Sequence, residues 1–531
     1  MIAETLTLTR LNLRLKRGYL AAWLIPLWIL VAAFPVAYQE YYPTLASRQE
    51  MQEAMNANAG TIAIYGHIAE PGTVGDMVTW EVAMWLGVLG SVMAVLLITS
   101  LHRRTEYDGV GELQRSTGIR PATPAAAALT TTFVATAVLG AGAGVILFGL
   151  GAVVDEFYAA GALAFGVTVF LMTFAGALLA ELVLLFVSDG SSLTLTALVT
   201  IVASFLLRAA ADVQEIDWLN WLTPLGWRAQ IVPYDRDDWS AAAIAAAICL
   251  VGVVAVMTAE RFRSFGSALV RMPLPKRTPD RRVQGMFGLH RLQITPAVVA
   301  WLAVLAVLAA FLMAMSGSIQ ELVAGEGATG EIFRDLLGGT AAYEAFIGYI
   351  AQVCGILIAV AAVSVIHGLS RIEADRTLDL ARSTGLRRGT PPAVIFSWAL
   401  IVAVALVAVL HGAGAFGLWT QETTVPEDYT TLAWASWSQL AAAWVTLGFA
   451  TAVVGLRPQA TMATWLIVGV AGTVALVGEI FQFPQWAIDL SPFSHTMVNA
   501  ESDVLPIVVM VLLGAGFTAV GLVGAARREV R

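Results

Sequence analysis

The chain has 531 residues, 58% of them hydrophobic and 13% charged, with a net charge of −8 and a mean hydropathy of +0.76. Soluble domains run about 45–50% apolar and about 25% charged, so this composition excludes a soluble enzyme and a disordered chain. Only two of the 30 basic residues are lysines, Lys16 and Lys276, which removes the lysine-rich patches of a nucleic-acid-binding module.

A helix crosses a bilayer with about 20 mostly apolar residues. Twelve such runs follow in chain order: 19–38, 82–101, 124–151, 158–187, 191–210, 240–259, 295–315, 346–368, 391–418, 431–456, 459–478 and 504–525. The predicted fold is therefore an all-α polytopic membrane protein. Arg10, Arg14, Lys16 and Arg17 precede the first run, but no small-residue cleavage site follows it, so it is read as an uncleaved span. Twelve is even and puts both termini on one side. The segments on that side hold 25 of the 30 basic residues and 11 acids, the opposite segments 5 basic residues and 26 acids. The positive-inside rule makes the basic side cytoplasmic, at a plasma membrane.

Ten of the 16 tryptophans fall near the opposite boundary, four of them (Trp218, Trp221, Trp227 and Trp239) in the connection 211–239. An aromatic belt explains scattered tryptophans. Four in one connection predict a short amphipathic or re-entrant helix at the surface.

The chain repeats itself. Arg104–Pro124 and Arg371–Pro391 align without gaps at an offset of 267, with eleven of 21 positions identical. In the outer connections, Trp218, Leu222, Thr223, Pro224 and Leu225 correspond to Trp486, Leu490, Ser491, Pro492 and Phe493. Two parallel six-helix repeats follow, related by a pseudo-twofold along the membrane normal. Their bounds are 1–259 and 295–531, with a basic cytoplasmic linker at 260–294.

Read as one helix, the repeated segment places Glu106, Val110, Leu113 and Thr117 on one stripe and Arg104, Asp108, Glu112 and Arg115 on the opposite face. The second copy repeats both, with Glu373, Thr377, Leu380 and Thr384, then Arg371, Asp375, Asp379 and Arg382. Gly118 and Gly385 stand where a C-terminal cap ends the helix, and Pro124 and Pro391 suit the start of the next span. An inherited, functionless loop need not duplicate both faces. The segments read as two docking helices for a partner.

Glu181 is the one acid well inside a predicted span, a substrate or proton contact if it is not structural. His411, in the ninth span, reads as a packed histidine sooner than as a contact in a substrate pathway. Gly140-x-Gly142-x-Gly144 sits mid-span and suits close helix packing. Neither lysine follows a glycine, so the chain has no Walker phosphate loop, and no metal motif or catalytic nucleophile motif is present either. Cys249 and Cys354 lie far apart in apolar runs and read as buried small hydrophobes.

Six spans per half, a docking-type helix after the second and a tryptophan- and proline-bearing connection before the sixth resemble the type V ATP-binding-cassette exporter permeases. The Leu113–Gly118 and Leu380–Gly385 segments and the outer Leu-[Ser/Thr]-Pro motifs carry a likeness to the actinobacterial exporters of polyketide antibiotics, the tetronasin-resistance type. The resemblance implies a coupling helix at each repeated segment, an amphipathic elbow helix near Thr5–Arg17, and two copies of a separate ATPase subunit that hold the ATP and magnesium. It implies no cofactor and no catalysis in this chain. An amphipathic small molecule would be exported as one half rocks against the other. The other expectation is a proton-coupled drug transporter, which also has six-plus-six parallel repeats but places a different basic loop after its second span.

Overall fold

In a computed structural model, α1 (Ile2–Tyr41) is a single 40-residue helix. The expected separate elbow at Thr5–Arg17 is instead the first half of this helix. Nothing between Thr5 and Arg17 interrupts the i to i−4 ladder, and Pro26 and Pro35 are accommodated inside it. The structure describes residues 2–154, 156–187, 193–269, 285–317, 342–374, 378, 383, 385–421, 424–478 and 483–528. Among them, twelve helices are long and apolar enough to cross a membrane, in two compact units, Met1–Arg277 and Thr278–Arg531.

In the first unit, α2 (Leu45–Asn56) and α3 (Ala59–Tyr65) fill the connection between the first and second spans. The second span is α4 (Val74–Leu101), which starts eight residues earlier than its hydropathy indicates. Its start is a capping box: Thr73 Oγ1 accepts from Asp76 N at 3.2 Å, and Asp76 Oδ2 accepts from Thr73 N at 2.8 Å. The extension brings two acids, Asp76 and Glu81, into the helix, and Glu81 accepts a hydrogen bond from the Tyr38 hydroxyl of α1. Two short helices, α5 (Arg103–Tyr107) and α6 (Val110–Ser116), follow on the basic side. Then come α7 (Thr123–Leu150), α8 (Ala159–Leu184), α9 (Leu193–Val213), the short α10 (Trp227–Ile231) and α11 (Trp239–Phe262).

The second unit holds α12 (Gly285–Ala314), α13 (Ala342–Ala374), α14 (Thr390–Trp419), α15 (Pro426–Leu456), α16 (Thr461–Val477), the short α17 (Gln485–Asp489) and α18 (Leu505–Arg527). Helix α12 begins ten residues before the predicted span and takes in the end of the expected linker.

Close helix contact relies on glycine. A Cβ on Gly144 would lie 2.9 Å from the Ala162 carbonyl of α8, and one on Gly140 would overlap the Gly166 carbonyl. Gly142 abuts the Trp28 ring of α1. All three residues of the glycine string are thus packing surfaces. Cys249 and Cys354 are free, buried thiols.

The connections before the sixth spans fold partly inward around short 3-10 turns, where the sequence suggests a short amphipathic or re-entrant helix in the first of them. Trp218 and Leu222 are exposed on a 3-10 turn, Asp217–Leu222, but Pro224, Leu225 and Trp227 are buried. The second unit repeats this arrangement: Trp486 and Leu490 are exposed, Phe493 is buried, and Pro492 opens a 3-10 turn, Pro492–Ser494. Thr223 Oγ1 donates to the Ser204 carbonyl of α9 at 3.0 Å, and Ser491 Oγ donates to the Ala471 carbonyl of α16 at 2.9 Å. The same hydroxyl thus pins the same turn to the fifth span of each unit.

Under the first unit's turn lies a polar group that sequence reading missed. Arg208 donates to Asp212 at 3.0 Å and to the Ile64 carbonyl at 2.7 Å, Asn220 donates to Asp212 at 2.7 Å, and Arg228 donates to the Tyr65 carbonyl at 2.5 Å. The two guanidiniums take up carbonyls at the end of α3 and hold it on α9. The one local signal was the Arg208–Asp212 spacing of i, i+4 at the outer end of a span.

Candidate functional site

The first repeated segment is two helices where one was expected. Gly109 adopts φ +77°, the left-handed region that glycine enters without a Cβ clash, and it turns the chain between α5 and α6. The predicted stripe is therefore broken: Glu106 and Leu113 lie on different helices and have opposite environments. Leu113 is 70% exposed, whereas the Glu106 side chain is buried.

Glu106 belongs to a cluster built by the basic-side ends of α4, α8 and α11. Arg103 Nη1 donates to Glu106 Oε2 at 2.8 Å, and Arg263 Nη2 donates to Glu106 Oε1 at 2.5 Å. Arg263 also donates from Nε to Glu260 Oε1 at 2.8 Å and from Nη2 to Glu260 Oε2 at 2.9 Å. Behind these, His102 Nδ1 lies 2.5 Å from Oε1 of Glu181, whose side chain is 0% exposed. His102 Nε2 faces Glu260 at 3.6 Å and Glu106 at 3.9 Å. Burial alone would weaken the hold of Arg263 on its proton, but its bonds to Glu260 and Glu106 strengthen it.

Three carboxylates face two guanidiniums and one imidazole, so an imidazolium at His102 makes the cluster neutral. Neutrality matters because an uncompensated buried charge costs several kcal/mol. Ligand atoms of His102, Glu181 and Glu260 lie within 4.8 Å of one another, the spacing of a cation site. Arg263, however, occupies both oxygens of Glu260, and a dication beside two guanidiniums is electrostatically opposed. The geometry is that of an ion-pair lock.

The lock carries the segment. Arg103 Nη2 donates to the Val187 carbonyl at 2.7 Å, the Arg115 guanidinium sits 4.0 Å over the Phe265 ring, and Gly111 leaves room for that ring. Asp108 faces solvent with Arg104 at 3.6 Å. Thr117 donates to the Gln114 carbonyl at 2.6 Å, and Gly118 ends the segment at φ +82°.

Among the described residues, the second unit makes the corresponding join with fewer groups. Arg528 Nη2, just past the end of α18, donates to both oxygens of Glu373 at 2.6 Å. Glu373 aligns with Glu106, and Arg528 stands just past the sixth span of its unit, as Arg263 does. Leu369 stands where His102 does, and the stretch 448–453, which corresponds to the surroundings of Glu181, has no acid. Gly385 repeats the left-handed stop at φ +85°. Asp375, Leu380, Arg382 and Thr384 lie outside the described residues. His411 is half-buried on α14, without a hydrogen-bond partner for Nδ1 among the described residues, and joins no cluster.

An all-helical architecture with twelve helices long and apolar enough to cross a membrane among the described residues defines a polytopic membrane protein. Residues 283–525 match the family model described as the multidrug efflux system permease Rv1217c, C-terminal domain. Over 555 aligned residues the chain is 26% identical to the multidrug efflux system permease protein Rv1217c of Mycobacterium tuberculosis, with 99% of this chain and 95% of that protein covered. The chain is thus a multi-pass membrane protein with full-length similarity to an efflux permease.

Proposed function

We propose that this chain is the membrane-spanning permease of an ATP-driven exporter of the type V, tetronasin-resistance kind. It moves amphipathic or hydrophobic small molecules, antibiotics among them, outward across the plasma membrane of an actinobacterium. Two copies of a separate ATP-binding-cassette subunit supply the energy and hold the ATP and magnesium. Both termini and both clasped segments face that motor in the cytoplasm.

The observation that supports this most is the duplicated join of Arg263 to Glu106 and of Arg528 to Glu373. A cytoplasmic loop without a partner needs no fixed attachment. A segment that receives a push does, because force reaches the spans only through a rigid connection. In the first unit the push on α6 passes through Arg115 and Phe265 to Arg263, and from there to the ends of α4 and α11. The exposed Leu113 is the apolar knob that a groove on the motor takes up, worth about 1.5–3 kcal/mol when buried.

A proton-driven carrier is the second reading, favoured by the buried Glu181–His102 pair. Its placement argues against it: the pair is sealed among arginines at the end of the spans, and the second unit has a leucine, Leu369, at the position of His102. Native mass spectrometry of the chain co-expressed with a cassette ATPase tests the reading. A complex with two ATPase copies is expected, and a functional permease that never associates with an ATPase would refute it.

A further inference from the structure

The start of the third span is built from the same residues in both units, yet its surroundings differ. In the first unit, Arg120, Thr123 and Pro124 lead into α7, and a carboxylate sits on them. Thr123 Oγ1 donates to Glu4 Oε2 at 3.1 Å, and the Arg120 backbone amide hydrogen-bonds the same carboxylate, with the Arg120 charge close by. Glu4 comes from the first turn of α1. This corner therefore binds an anion, and the chain supplies it.

In the second unit the corner is Arg387, Thr390 and Pro391, at the same offset of 267. The first described turn of α12 brings no acid to it. Phe287 stands there instead, stacked on Trp398 with ring centroids 4.6 Å apart, and the Trp398 indole donates to the Phe287 carbonyl at 3.1 Å. What remains is an open cleft of about 450 Å³ lined by Phe287, Arg387, Thr390, Ala393, Val394 and Ser397. Arg387 is exposed, with no carboxylate or hydrogen-bond partner for its side chain among the described residues. The helix start offers little by itself. Thr390 N–H is spent on the Arg387 carbonyl, residues 391 and 392 are prolines, and Ala393 N–H is spent on the Gly389 carbonyl. Charge in this cleft comes from Arg387.

We infer that this cleft is a binding site for one anionic phospholipid of the leaflet on the basic side. Its phosphate takes the place on Arg387 and Thr390 that the Glu4 carboxylate fills on Arg120 and Thr123, and its acyl chain runs over Phe287 and Val394. Two features select a lipid over a free anion. The wall below the arginine is apolar and aromatic, and the cleft opens at the end of a membrane span, where headgroups meet exposed arginine.

The test uses the purified full chain, equilibrated with equimolar phosphatidylglycerol and phosphatidylcholine and read by native mass spectrometry. Retained phosphatidylglycerol should exceed phosphatidylcholine about fivefold at this site, the factor expected for one basic residue at an anionic surface. Arg387→Ala should remove that preference. Phe287→Glu, which places an acid from the neighbouring helix at the corner as Glu4 does, should also remove it. Arg120→Ala should leave it in place, because that corner is already filled. All are judged on protein that elutes and melts like the parent chain. Equal losses in Arg387→Ala and Arg120→Ala would show diffuse attraction and overturn the proposal. Displacement of the adduct by millimolar inorganic phosphate would show a free-anion site and overturn it as well.

Discussion

Arg528 donates to both carboxylate oxygens of Glu373 at 2.6 Å, and so ties the end of the last span to the exit of the second span of its unit. The first unit makes the same tie with Arg263 and Glu106 but embeds it among four more groups, Glu181, Glu260, His102 and Arg103. The two ties should differ in strength. Arg528→Ala removes charged hydrogen bonds from a mostly buried acid and should cost about 1.5–3 kcal/mol. Arg263→Ala strands Glu260 and weakens the hold on Glu106, and should cost about 3–5 kcal/mol. Thermal unfolding in detergent checks the order, and deuterium uptake should rise at residues 103–118 only in the Arg263 variant.

Glu181→Gln should be mild. The amide keeps a hydrogen bond to His102, and loss of the imidazolium proton restores neutrality to two carboxylates and two guanidiniums. Glu181→Leu leaves His102 Nδ1 without its acceptor while Nε2 still faces Glu260, and should be less stable than Glu181→Gln, by about 1–3 kcal/mol. Under the exporter reading, Glu181→Gln also keeps most transport when an uncoupler has collapsed the proton gradient. Transport assays with ATP held constant check that outcome. Loss of transport in the variant, with its fold intact, would favour the proton-driven reading.

The outer turns offer a pair of small effects. Thr223→Val removes one hydroxyl bond to a carbonyl of the fifth span and should cost about 1 kcal/mol, whereas Ser491→Ala also removes the bond Ser491 Oγ accepts from Phe493 N at 3.3 Å and should cost somewhat more. They share no partner, so the double variant should lose the sum. Melting curves of the three variants check the order and the sum.

The spans were legible because apolar length is a local property, and the repeat because eleven identities fall in one ungapped stretch. Boundaries failed where a charge has a distant partner. Glu81 pushed the predicted start of the second span to 82, although the Tyr38 hydroxyl satisfies it inside the helix. The single docking helix failed at Gly109, whose left-handed φ outweighs an alternating pattern of charge. The lock was not legible because its members are remote in sequence: 79 residues separate His102 from Glu181, and 157 separate Glu106 from Arg263. Glu181 stood out alone, as a buried acid must, but its partner His102 sits at a span end where a histidine draws no notice.

Leu113→Asp combined with Leu380→Asp should leave the membrane fold intact, since Leu113 projects away from the lock, and should uncouple ATP hydrolysis from export or prevent assembly. Arg115→Ala alone should be milder, because it loses one stacking contact with Phe265 and leaves Arg263 in place. Pull-down of the ATPase and substrate-stimulated hydrolysis in reconstituted vesicles check both. Normal values in the double leucine variant would show the segments to be plain loops.

The most direct test of the exporter assignment is accumulation of a fluorescent amphipathic drug in inside-out vesicles, measured with the chain alone and with its cassette ATPase. The account expects accumulation only when both proteins and ATP are present, unchanged by an uncoupler. Accumulation by the chain alone, driven by an imposed pH gradient and abolished by the uncoupler, would contradict it.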